Sequence, residues 1–340
     1  MTNLMTGRST AGDGVHRGGL DLGGTKIQAV VVDRDQVVRG SARHPTPASG
    51  GPHDVAAAMA RTLREAASAA GVEPAALAAV GVGSPGAVDA ATGTVTGAGN
   101  LPGWSGSYPL GADLADQLGA PVLLGNDVRA ATAAEFALGV GRPYRSLIGV
   151  FCGTGVGGGI FLDGRPWLGR GAAGEVGHMV VRRGGALCTC GRQGCLEAYA
   201  GRGAMEREAR RLVSRGRHTA LFTIMERTGR TRLSSGVFDR ALRHKDPMAT
   251  HLIDRAVRAL GAGIASVINL LDLPAVIIGG GLGLRLGEPF VEAVRQATLP
   301  HLFVPARPPD MHLAALGDLG GAIGATLIAT TVSGGVEPDS

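Results

Sequence analysis

Short apolar runs separated by Gly-rich turns dominate the first half of the chain, a pattern typical of β-strands. The segment GGLDLGGTKIQAVVVDRDQVVRGSARH predicts a strand, a Gly-rich turn, a long β-branched strand, an Asp-containing turn and a third strand. The Ala-rich stretch from Pro52 to Ala70 has helical spacing and is followed by Gly71, a typical helix end. The runs LAAVGVGSPGAV and PVLLGND predict two more strands, and VRAATAAEFALG predicts a helix that ends at Gly139.

The same order of elements begins again in the second half of the chain. The segment SLIGVFCGTGVGGGIFLDGRPWLG predicts a strand, a Gly-rich turn, a second strand, an Asp-Gly turn and a short strand, with residues unrelated to those of the first segment. Helical spacing covers Glu197 to about Leu271, PAVIIGGG predicts a buried strand, and helices are expected near 287–297 and 319–330. This weak internal duplication predicts an α/β fold of two lobes with a cleft between them.

Length and composition agree with a folded, two-domain protein. A chain of 340 residues with 44% hydrophobic content can bury a large core. It contains no apolar run of about 18 residues, and its N-terminus lacks the apolar stretch of a signal peptide. We therefore expect a cytoplasmic protein without a membrane partner, and four cysteines do not make a disulfide scaffold.

The positive charge is carried almost entirely by arginine. The net charge is +5, and Lys26 and Lys245 are the only lysines. Because the basic residues form no dense run, no nucleic-acid partner is expected. In a chain that otherwise uses arginine, Lys26 becomes a candidate functional residue.

Three strand ends carry Gly-rich loops of the kind that can bind phosphate. Glycines let the backbone approach a phosphate closely, a Thr hydroxyl and a Lys ammonium can hold its oxygens, and a carboxylate can hold Mg²⁺ through water. Each loop taken alone could be an ordinary turn. Together they favour a nucleoside triphosphate site, with the candidates Asp21, Gly23, Gly24, Thr25, Lys26, Gly153, Thr154, Gly155, Gly157, Gly158, Gly279 and Gly280.

The loop GTGVGGG also fits the G-x-G-x-x-G fingerprint of dinucleotide-binding proteins. That fingerprint requires a helix directly after the loop, because the helix N-terminus holds the pyrophosphate. Here GIFLDGRPWLG follows, which alternates and turns at Asp163-Gly164 like a hairpin. The dinucleotide interpretation therefore lacks its structural context.

Polar residues at strand ends and beside the cysteines are candidates for catalysis and sugar binding. Asn126 and Asp127 end the run PVLLGND just before a helix, where either could simply be the N-cap. A carboxylate in this place could also act as a general base toward a substrate hydroxyl. Asn100, Glu175 and Glu197 are either turn and surface residues or groups that bind sugar hydroxyls.

Three cysteines, Cys188, Cys190 and Cys195, lie within eight positions, and His178 precedes the first by ten. A disulfide between cysteines two residues apart would be strained, and no C-x-x-C redox pair is present. Three thiolates and one imidazole suit tetrahedral Zn²⁺ and leave no open position for a substrate. We therefore expect a structural zinc, whereas Cys152 is expected to be a buried core residue.

Together these motifs resemble the ROK family (repressors and sugar kinases) within the actin-like, hexokinase-type ATPase superfamily. The resemblance covers about residues 18–330, and the Glu-x-Gly-His motif with the spaced cysteines is its most specific part. The matching segments are 21–26 (DLGGTK), 84–86 (SPG), 100–104 (NLPGW), 126–127 (ND), 153–159 (GTGVGGG), 175–178 (EVGH) and 188–197 (CTCGRQGCLE).

The resemblance implies a role for each group of candidates. Asp127 resembles the base that deprotonates a sugar hydroxyl, and the other sugar contacts would be Asn100, Asn126, Glu175, His178 and Glu197. The two loops that follow the first strand of each half would hold the ATP phosphates, the third loop would approach the adenosine, and the cluster of one His and three Cys matches the zinc ligands of the family.

One departure from the family pattern affects the site. The family usually continues Asn-Asp with Ala-Asn and small residues, whereas Val128-Arg129 follows here. Arg129, on the first helical turn, could reshape the edge of the site.

The implied fold is α/β: a two-lobed actin-like ATPase (ribonuclease H-like) fold with a duplicated sheet-and-helix core and a small zinc hairpin at 174–197. The expected lobes are 18–127, together with a C-terminal helix at about 315–330, and 128–314. Residues 1–17 are expected to be a disordered tail, and residues 331–340 a second tail.

The implied reaction is phosphoryl transfer from Mg²⁺-bound ATP to a hexose hydroxyl, first of all the 6-hydroxyl of glucose. The alternative substrate is an N-acetylhexosamine or another sugar analogue, since the same motifs serve it. A sugar-responsive repressor is disfavoured, because only some seventeen irregular residues precede the first strand, too few for a winged helix-turn-helix. A homodimer or homotetramer is expected by analogy with the family.

Overall fold

The computed structural model describes residues 15–99 and 101–332. Asn100 therefore lies outside the described residues, as do the predicted tails up to position 14 and from position 333. Arg17 and residues 331–332, which the sequence analysis assigned to the tails, belong to a strand and to a 3₁₀ helix (Ala329–Val332). Internal contacts group Gly125–Leu327 into one compact unit and the chain before and after it into another. The lobe boundaries expected near 127 and 314 stay a prediction.

The elements follow one another in the order expected of an α/β protein. The strands are β1 (Arg17–Leu22), β2 (Lys26–Val32), β3 (Val38–Pro45), β4 (Val80–Ser84), β5 (Ala87–Asp89), β6 (Thr94–Thr96), β7 (Ser107–Tyr108), β8 (Val122–Asn126), β9 (Leu147–Cys152), β10 (Val156–Leu162), β11 (Arg165–Pro166), β12 (Ala275–Gly279) and β13 (Asp310–Leu313). The α-helices are α1 (Pro52–Ala70), α2 (Leu110–Leu118), α3 (Asp127–Leu138), α4 (Glu197–Ala200), α5 (Arg202–Val213), α6 (Leu221–Arg227), α7 (Ser235–Arg243), α8 (Pro247–Leu271), α9 (Gly280–Leu286), α10 (Glu288–Thr298) and α11 (Gly320–Ile328).

A five-stranded sheet in the order β3-β2-β1-β4-β8 forms the centre of the first unit. β1 pairs antiparallel with β2 and parallel with β4, and β2 pairs antiparallel with β3. Helix α1 turns a buried face toward this sheet, with Val55, Met59 and Leu63 spaced for one side of a helix. The helix ends at Gly71, whose φ of 70° is the left-handed conformation that glycine adopts readily.

The second unit repeats this sheet. Its strand order is β11-β10-β9-β12-β13, with β9 antiparallel to β10 and parallel to β12, and β12 parallel to β13. The first two strands of each sheet are thus a hairpin, and the first strand of the hairpin pairs in parallel with a strand far along the chain. The predicted internal duplication is confirmed as a duplication of sheet topology.

Helices and a small third sheet complete the two units. The helical region predicted from Glu197 to about Leu271 is divided into α4 to α8, and Leu196, Leu252 and Leu260 are buried in its core. In the first unit β5, β6 and β7 form a three-stranded antiparallel sheet that the sequence pattern did not predict. In the part of the chain that the structure describes, no helix is both long enough and apolar enough to cross a membrane.

Candidate active site

Strand β8 ends at Asn126, and helix α3 begins at the next residue. Asn126 Oδ1 accepts hydrogen bonds from the backbone N–H groups of Val128 and Arg129, both at 3.1 Å, so Asn126 is the N-cap. The cap uses the oxygen of the amide. The NH₂ group is therefore the part of Asn126 that can donate to a ligand.

Asp127, at the first helical position, carries a perturbed carboxyl. Desolvation by the surrounding protein raises its pKa to about 6, and the negative charge of Glu175 adds to this shift. A hydrogen bond from the backbone N–H of Val128 to Asp127 Oδ1, at 2.9 Å, works in the opposite direction. The side chain remains partly exposed. A carboxyl with a pKa near neutrality, open to solvent on one side, can exchange a proton with a bound hydroxyl.

Glu175 is the N-cap of the 3₁₀ turn Val176–His178, and its carbonyl accepts a hydrogen bond from the backbone N–H of His178 at 3.0 Å. Two glycines seat this turn on strand β10. A Cβ atom on Gly174 would lie 2.7 Å from the Gly158 carbonyl oxygen, and one on Gly177 would clash with the backbone of Val156. The Glu175 side chain is exposed and His178 is half-buried.

The structure brings the four predicted zinc ligands together. The ligand atoms of His178, Cys188, Cys190 and Cys195 all lie within 4.8 Å of one another. The two sulfur atoms of Cys190 and Cys195 are 3.7 Å apart, and Cys188 Sγ is 3.9 Å from His178 Nδ1. A tetrahedral zinc with Zn–S bonds of about 2.3 Å places its sulfur ligands about 3.8 Å apart. Both the donor set and its spacing fit zinc.

A short hairpin carries the cysteines. Leu187 and Gln193 form an antiparallel bridge, and the backbone N–H of Cys188 donates to the Arg192 carbonyl at 2.8 Å. A second bridge joins Val180 to Cys195. Cys152, by contrast, is fully buried in β9, and burial raises the pKa of its thiol to about 12, as expected of an inert core residue.

Glu197, the first residue of α4, lies between the cysteine hairpin and strand β10. Its Oε2 accepts a hydrogen bond from the backbone N–H of Val156 at 2.9 Å, and its Oε1 accepts one from the Thr189 hydroxyl at 3.4 Å. A side chain on Gly155 would clash with the Glu197 carboxylate. The glycine at 155 therefore makes room for this carboxylate.

The turn between β9 and β10 consists of Gly153, Thr154 and Gly155, closed by a hydrogen bond from the Gly153 N–H to the Gly155 carbonyl at 2.8 Å. Arg202 holds the turn from outside: its Nε donates to the Gly153 carbonyl at 3.1 Å and its Nη2 to the Thr154 hydroxyl at 3.3 Å. Arg202 is a functional candidate that the sequence did not reveal, since its only signal there is its place after Gly201 at a helix start.

The remaining glycines of the predicted nucleotide loops have packing reasons of their own. Gly157 and Gly158 lie on β10, where a Cβ atom would come 2.7 Å from the Val128 side chain and 2.8 Å from the Gly174 carbonyl oxygen, respectively. Gly279 ends β12, and Gly280 opens α9 with a φ of +77° and would crowd the Cys152 backbone if it bore a side chain. Their contacts with a nucleotide stay predictions.

The first unit holds the other predicted phosphate loop. Asp21 lies near the end of β1, next to Gly83 of β4, and Lys26 opens β2. Between them a turn formed by residues 23–25 is closed by a hydrogen bond from the Gly23 N–H to the Lys26 carbonyl at 3.0 Å. The Thr46 hydroxyl donates to the Gly23 carbonyl at 2.6 Å and fixes the turn further.

Arg129 reaches the loop that leads to Glu175. Its Nη2 donates to the carbonyl of Gly171 at 2.5 Å, and Gly171 itself has a φ of 101°. Arg129 is recognisable in the sequence as a departure from the family pattern, but its contact with Gly171 is not predictable from it. The structure thus connects the first turn of α3 with the segment preceding the Glu175 turn.

Comparison with known proteins gives consistent matches along most of the chain. A family model described as the ROK family matches residues 17–332. The glucokinase of Thermotoga maritima is 34% identical over 285 residues, which are 84% of this chain and 87% of that protein. The N-acetylgalactosamine kinase AgaK of Shewanella sp. is 33% identical, over 94% of this chain and 98% of that protein.

A solved structure shows the same architecture. The ROK family glucokinase from Streptomyces griseus in complex with glucose and AMPPNP has a TM-score of 0.78 and 32% identity, covering 92% of this chain and 98% of that chain. The family match, over residues 17–332, extends into both units and includes the segments that hold Asp127, Glu175 and the cysteine hairpin.

Proposed function

Because the chain belongs to the ROK family, we propose that it is an ATP-dependent hexose kinase that phosphorylates glucose, most directly at its 6-hydroxyl. The proposal rests above all on the Asp127 carboxyl, whose pKa is raised to about 6 next to the exposed Glu175. In this reaction Asp127 accepts the proton of the sugar hydroxyl as that oxygen attacks the γ-phosphorus of ATP, and the bond from this phosphorus to the β,γ-bridging oxygen breaks to release ADP.

The groups around Asp127 suit a polyhydroxyl ligand. The Asn126 amide NH₂ can donate, the Glu175 and Glu197 carboxylates can accept, and His178 can present the ring nitrogen that a metal does not use. We propose these side chains, with Asn100, as the contacts that orient the sugar. Positioning of this kind, together with electrostatic stabilisation of the phosphates, supplies most of the catalysis in phosphoryl transfer, because the protein has little covalent chemistry to do.

The donor side uses the Gly-rich loops. We propose that Gly23 to Lys26 and Gly153 to Gly158 bind the phosphates of ATP, that Gly279 and Gly280 approach the adenosine, and that Asp21 holds Mg²⁺ through water. Lys26 supplies a compact positive charge for the phosphates.

We propose a structural zinc held by His178, Cys188, Cys190 and Cys195. Bound there, the zinc would crosslink the hairpin and supply no chemistry to the reaction, since four protein ligands fill a tetrahedral site. His178 would be fixed by it, and Glu175, three residues earlier in the same turn, would be held in place with it.

An N-acetylhexosamine is the second candidate substrate. The Shewanella kinase AgaK, named for N-acetylgalactosamine, matches this chain about as well as the glucokinases do. A panel of glucose, mannose, N-acetylglucosamine, N-acetylmannosamine and N-acetylgalactosamine separates the two candidates through sugar-dependent release of ADP. Glucose should have the highest kcat/KM; a higher value for an N-acetylated sugar would select the second candidate, and no release with any hexose would overturn the kinase proposal.

We also propose that the protein assembles as a homodimer or homotetramer. Leu270 and Phe303 are 81% and 87% exposed, and Asn269 links their segments by accepting from the Phe303 N–H at 2.8 Å. Large apolar side chains that are exposed in the single chain favour an interface in which a second copy covers them. Light scattering on the purified protein measures the mass directly.

A further inference from the structure

The first residues of α5 form both backbone and side-chain hydrogen bonds with the turn at Gly153. Besides the two side-chain hydrogen bonds of Arg202, the backbone N–H of Arg202 donates to the Gly153 carbonyl at 3.2 Å, and that of Gly203 donates to the Thr154 carbonyl at 3.0 Å. Arg202 thus uses Nε and Nη2 on the turn. Its other terminal nitrogen, Nη1, makes no hydrogen bond within residues 15–99 and 101–332.

Further positive charges surround this point. Burial lowers the pKa of Arg202, and the positive charges of Arg232 and Arg230 lower it further. A Cβ atom on Gly203 would lie 3.6 Å from a guanidinium nitrogen of Arg232 and 3.7 Å from one of Arg207. We call Arg202, Arg230 and Arg232 the arginine group.

Carboxylates balance these charges only in part. Among the described residues, Arg202 and Arg230 have no ion pair, and Arg232 Nε lies 3.8 Å from Glu206 Oε2. Glu206 is already engaged, because Arg210 donates two hydrogen bonds to its Oε1 and the backbone N–H of Leu233 donates to its Oε2 at 3.0 Å. A half-buried guanidinium beside like charges is stabilised when an anion binds.

We propose that the arginine group binds the phosphate chain of the donor beside the Gly153–Gly155 turn, with Arg202 both fixing the turn and donating from Nη1 to a phosphate oxygen. Guanidinium groups suit this ligand, since their planar forks match phosphate oxygens and their hydrogen bonds to phosphate are charge-assisted. The assignment of these phosphates to ATP rests on the proposed function. An inorganic chain of phosphates presents the same chemistry, and the test separates these two sources.

Binding measured by calorimetry in the presence of Mg²⁺ tests the proposal without turnover. The probes are AMPPNP, inorganic tripolyphosphate and adenosine, which share either the phosphate chain or the nucleoside. Arg202→Gln should weaken AMPPNP and tripolyphosphate about tenfold or more and leave adenosine unchanged. The double variant Arg230→Gln/Arg232→Gln should weaken the same two probes and reduce the salt dependence of their affinity. Arg202→Lys, which keeps the charge but not the fork, should fall between wild type and Arg202→Gln.

The control is Arg215→Gln, which removes one exposed arginine just beyond α5 and should bind all three probes as wild type does. Unchanged affinity of Arg202→Gln and of the double variant for both phosphate probes would overturn the proposal. An equal loss for adenosine would also overturn it, because the arginines would then only support the fold of the site. If Arg202→Gln does not fold, the double variant at two exposed side chains carries the test.

The two proposals fail in different ways. If AMPPNP binding depends on the arginines but no hexose causes ADP release, the arginine group binds phosphate and the kinase proposal is wrong. If ADP release with sugar is normal but the variants keep their affinity for the phosphate probes, the kinase proposal holds and the role of the arginine group is wrong. Tripolyphosphate that displaces AMPPNP but donates no phosphoryl group to sugar would identify the nucleotide as the source of the chain.

Discussion

Glu197 accepts a hydrogen bond from the backbone N–H of Val156 at 2.9 Å, and this bond ties the end of the cysteine hairpin to the strand that follows the Gly153 turn. The same carboxylate accepts from Thr189 within the hairpin. One side chain therefore joins the segment proposed to hold zinc with the segment proposed to hold phosphate. This link has consequences for stability and for sugar binding that can be separated by mutation.

Glu197→Ala should destabilise the protein by about 1–3 kcal/mol, because the N–H of Val156 would lose its acceptor in a partly buried place. Glu197→Gln keeps an acceptor oxygen and should unfold close to wild type, while raising the KM for sugar through loss of the charge. Urea unfolding and sugar titrations measure the two effects. A Glu197→Ala variant as stable as wild type would show that the bond to Val156 carries no weight.

Removing a zinc ligand should loosen the sugar site and leave the core intact. Cys190→Ser should lose the metal, about one zinc per chain in wild type, and should raise the KM for sugar more than it lowers kcat, because His178 and Glu175 share one turn. Metal analysis and kinetics check both. The matched control is Cys152→Ala, which should retain the zinc. A metal-free protein with full sugar affinity would contradict the structural role.

Arg129 should act on sugar binding from outside the reacting atoms. Arg129→Met removes the hydrogen bond to the Gly171 carbonyl and frees the loop that leads to Glu175, so the KM for sugar should rise severalfold with little change in kcat. The control is Arg170→Gln, which changes an exposed arginine of the same loop and should leave both the KM for sugar and kcat unchanged. Equal kinetics of the two variants would mean that Arg129 does not position the loop.

The sequence predicts the hairpins, the helices α1 and α3, and the cysteine site, because each is defined by local signals such as Gly71 after α1 or His178 before the cysteines. It does not predict α9, since Gly279 to Gly281 indicate a loop and glycine is a poor helix former. The β5–β7 sheet is not predicted either, because its strands have only two or three residues and are too short to show an alternating pattern.

Contacts between distant segments are the other kind of miss. Arg202 lies 49 residues from Gly153, and Glu197 lies 41 residues from Val156. No periodicity or spacing connects such pairs, because the pairing depends on how α4 and α5 pack beside β10. Gly157 and Gly158 give a further example. Their motif suggested contact with phosphate, and the structure shows that close packing against Val128 and Gly174 also requires glycine at these two positions.

Ionisation of the Asp127 carboxyl should lower the free energy of unfolding at neutral pH. Its pKa in the folded protein, about 6, is above the value of 3.8 expected when unfolded, so the unfolded chain ionises first as pH rises. The resulting destabilisation is absent below about pH 4, grows between the two pKa values and is complete above about pH 6. Asp127→Asn should therefore be more stable than wild type at pH 7, by about 1–3 kcal/mol with the lower end expected for a partly exposed side chain, and equal to it near pH 3.5. Urea unfolding at both pH values measures this; a variant less stable at pH 7 would refute it.

We propose above all that Asp127 is the base of a hexose kinase, and the pH profile of glucose-dependent ADP release reports on this role. For wild type, kcat/KM should fall tenfold per pH unit below a pKa near 6, because only the ionised carboxylate can take the proton of the sugar hydroxyl. Glu175→Gln, which removes a neighbouring negative charge, should move this limb to lower pH. Asp127→Asn should lower kcat about 10²–10⁴-fold while still binding glucose, and should have no such limb. An Asp127→Asn enzyme with wild-type turnover and the same acid limb would contradict the claim.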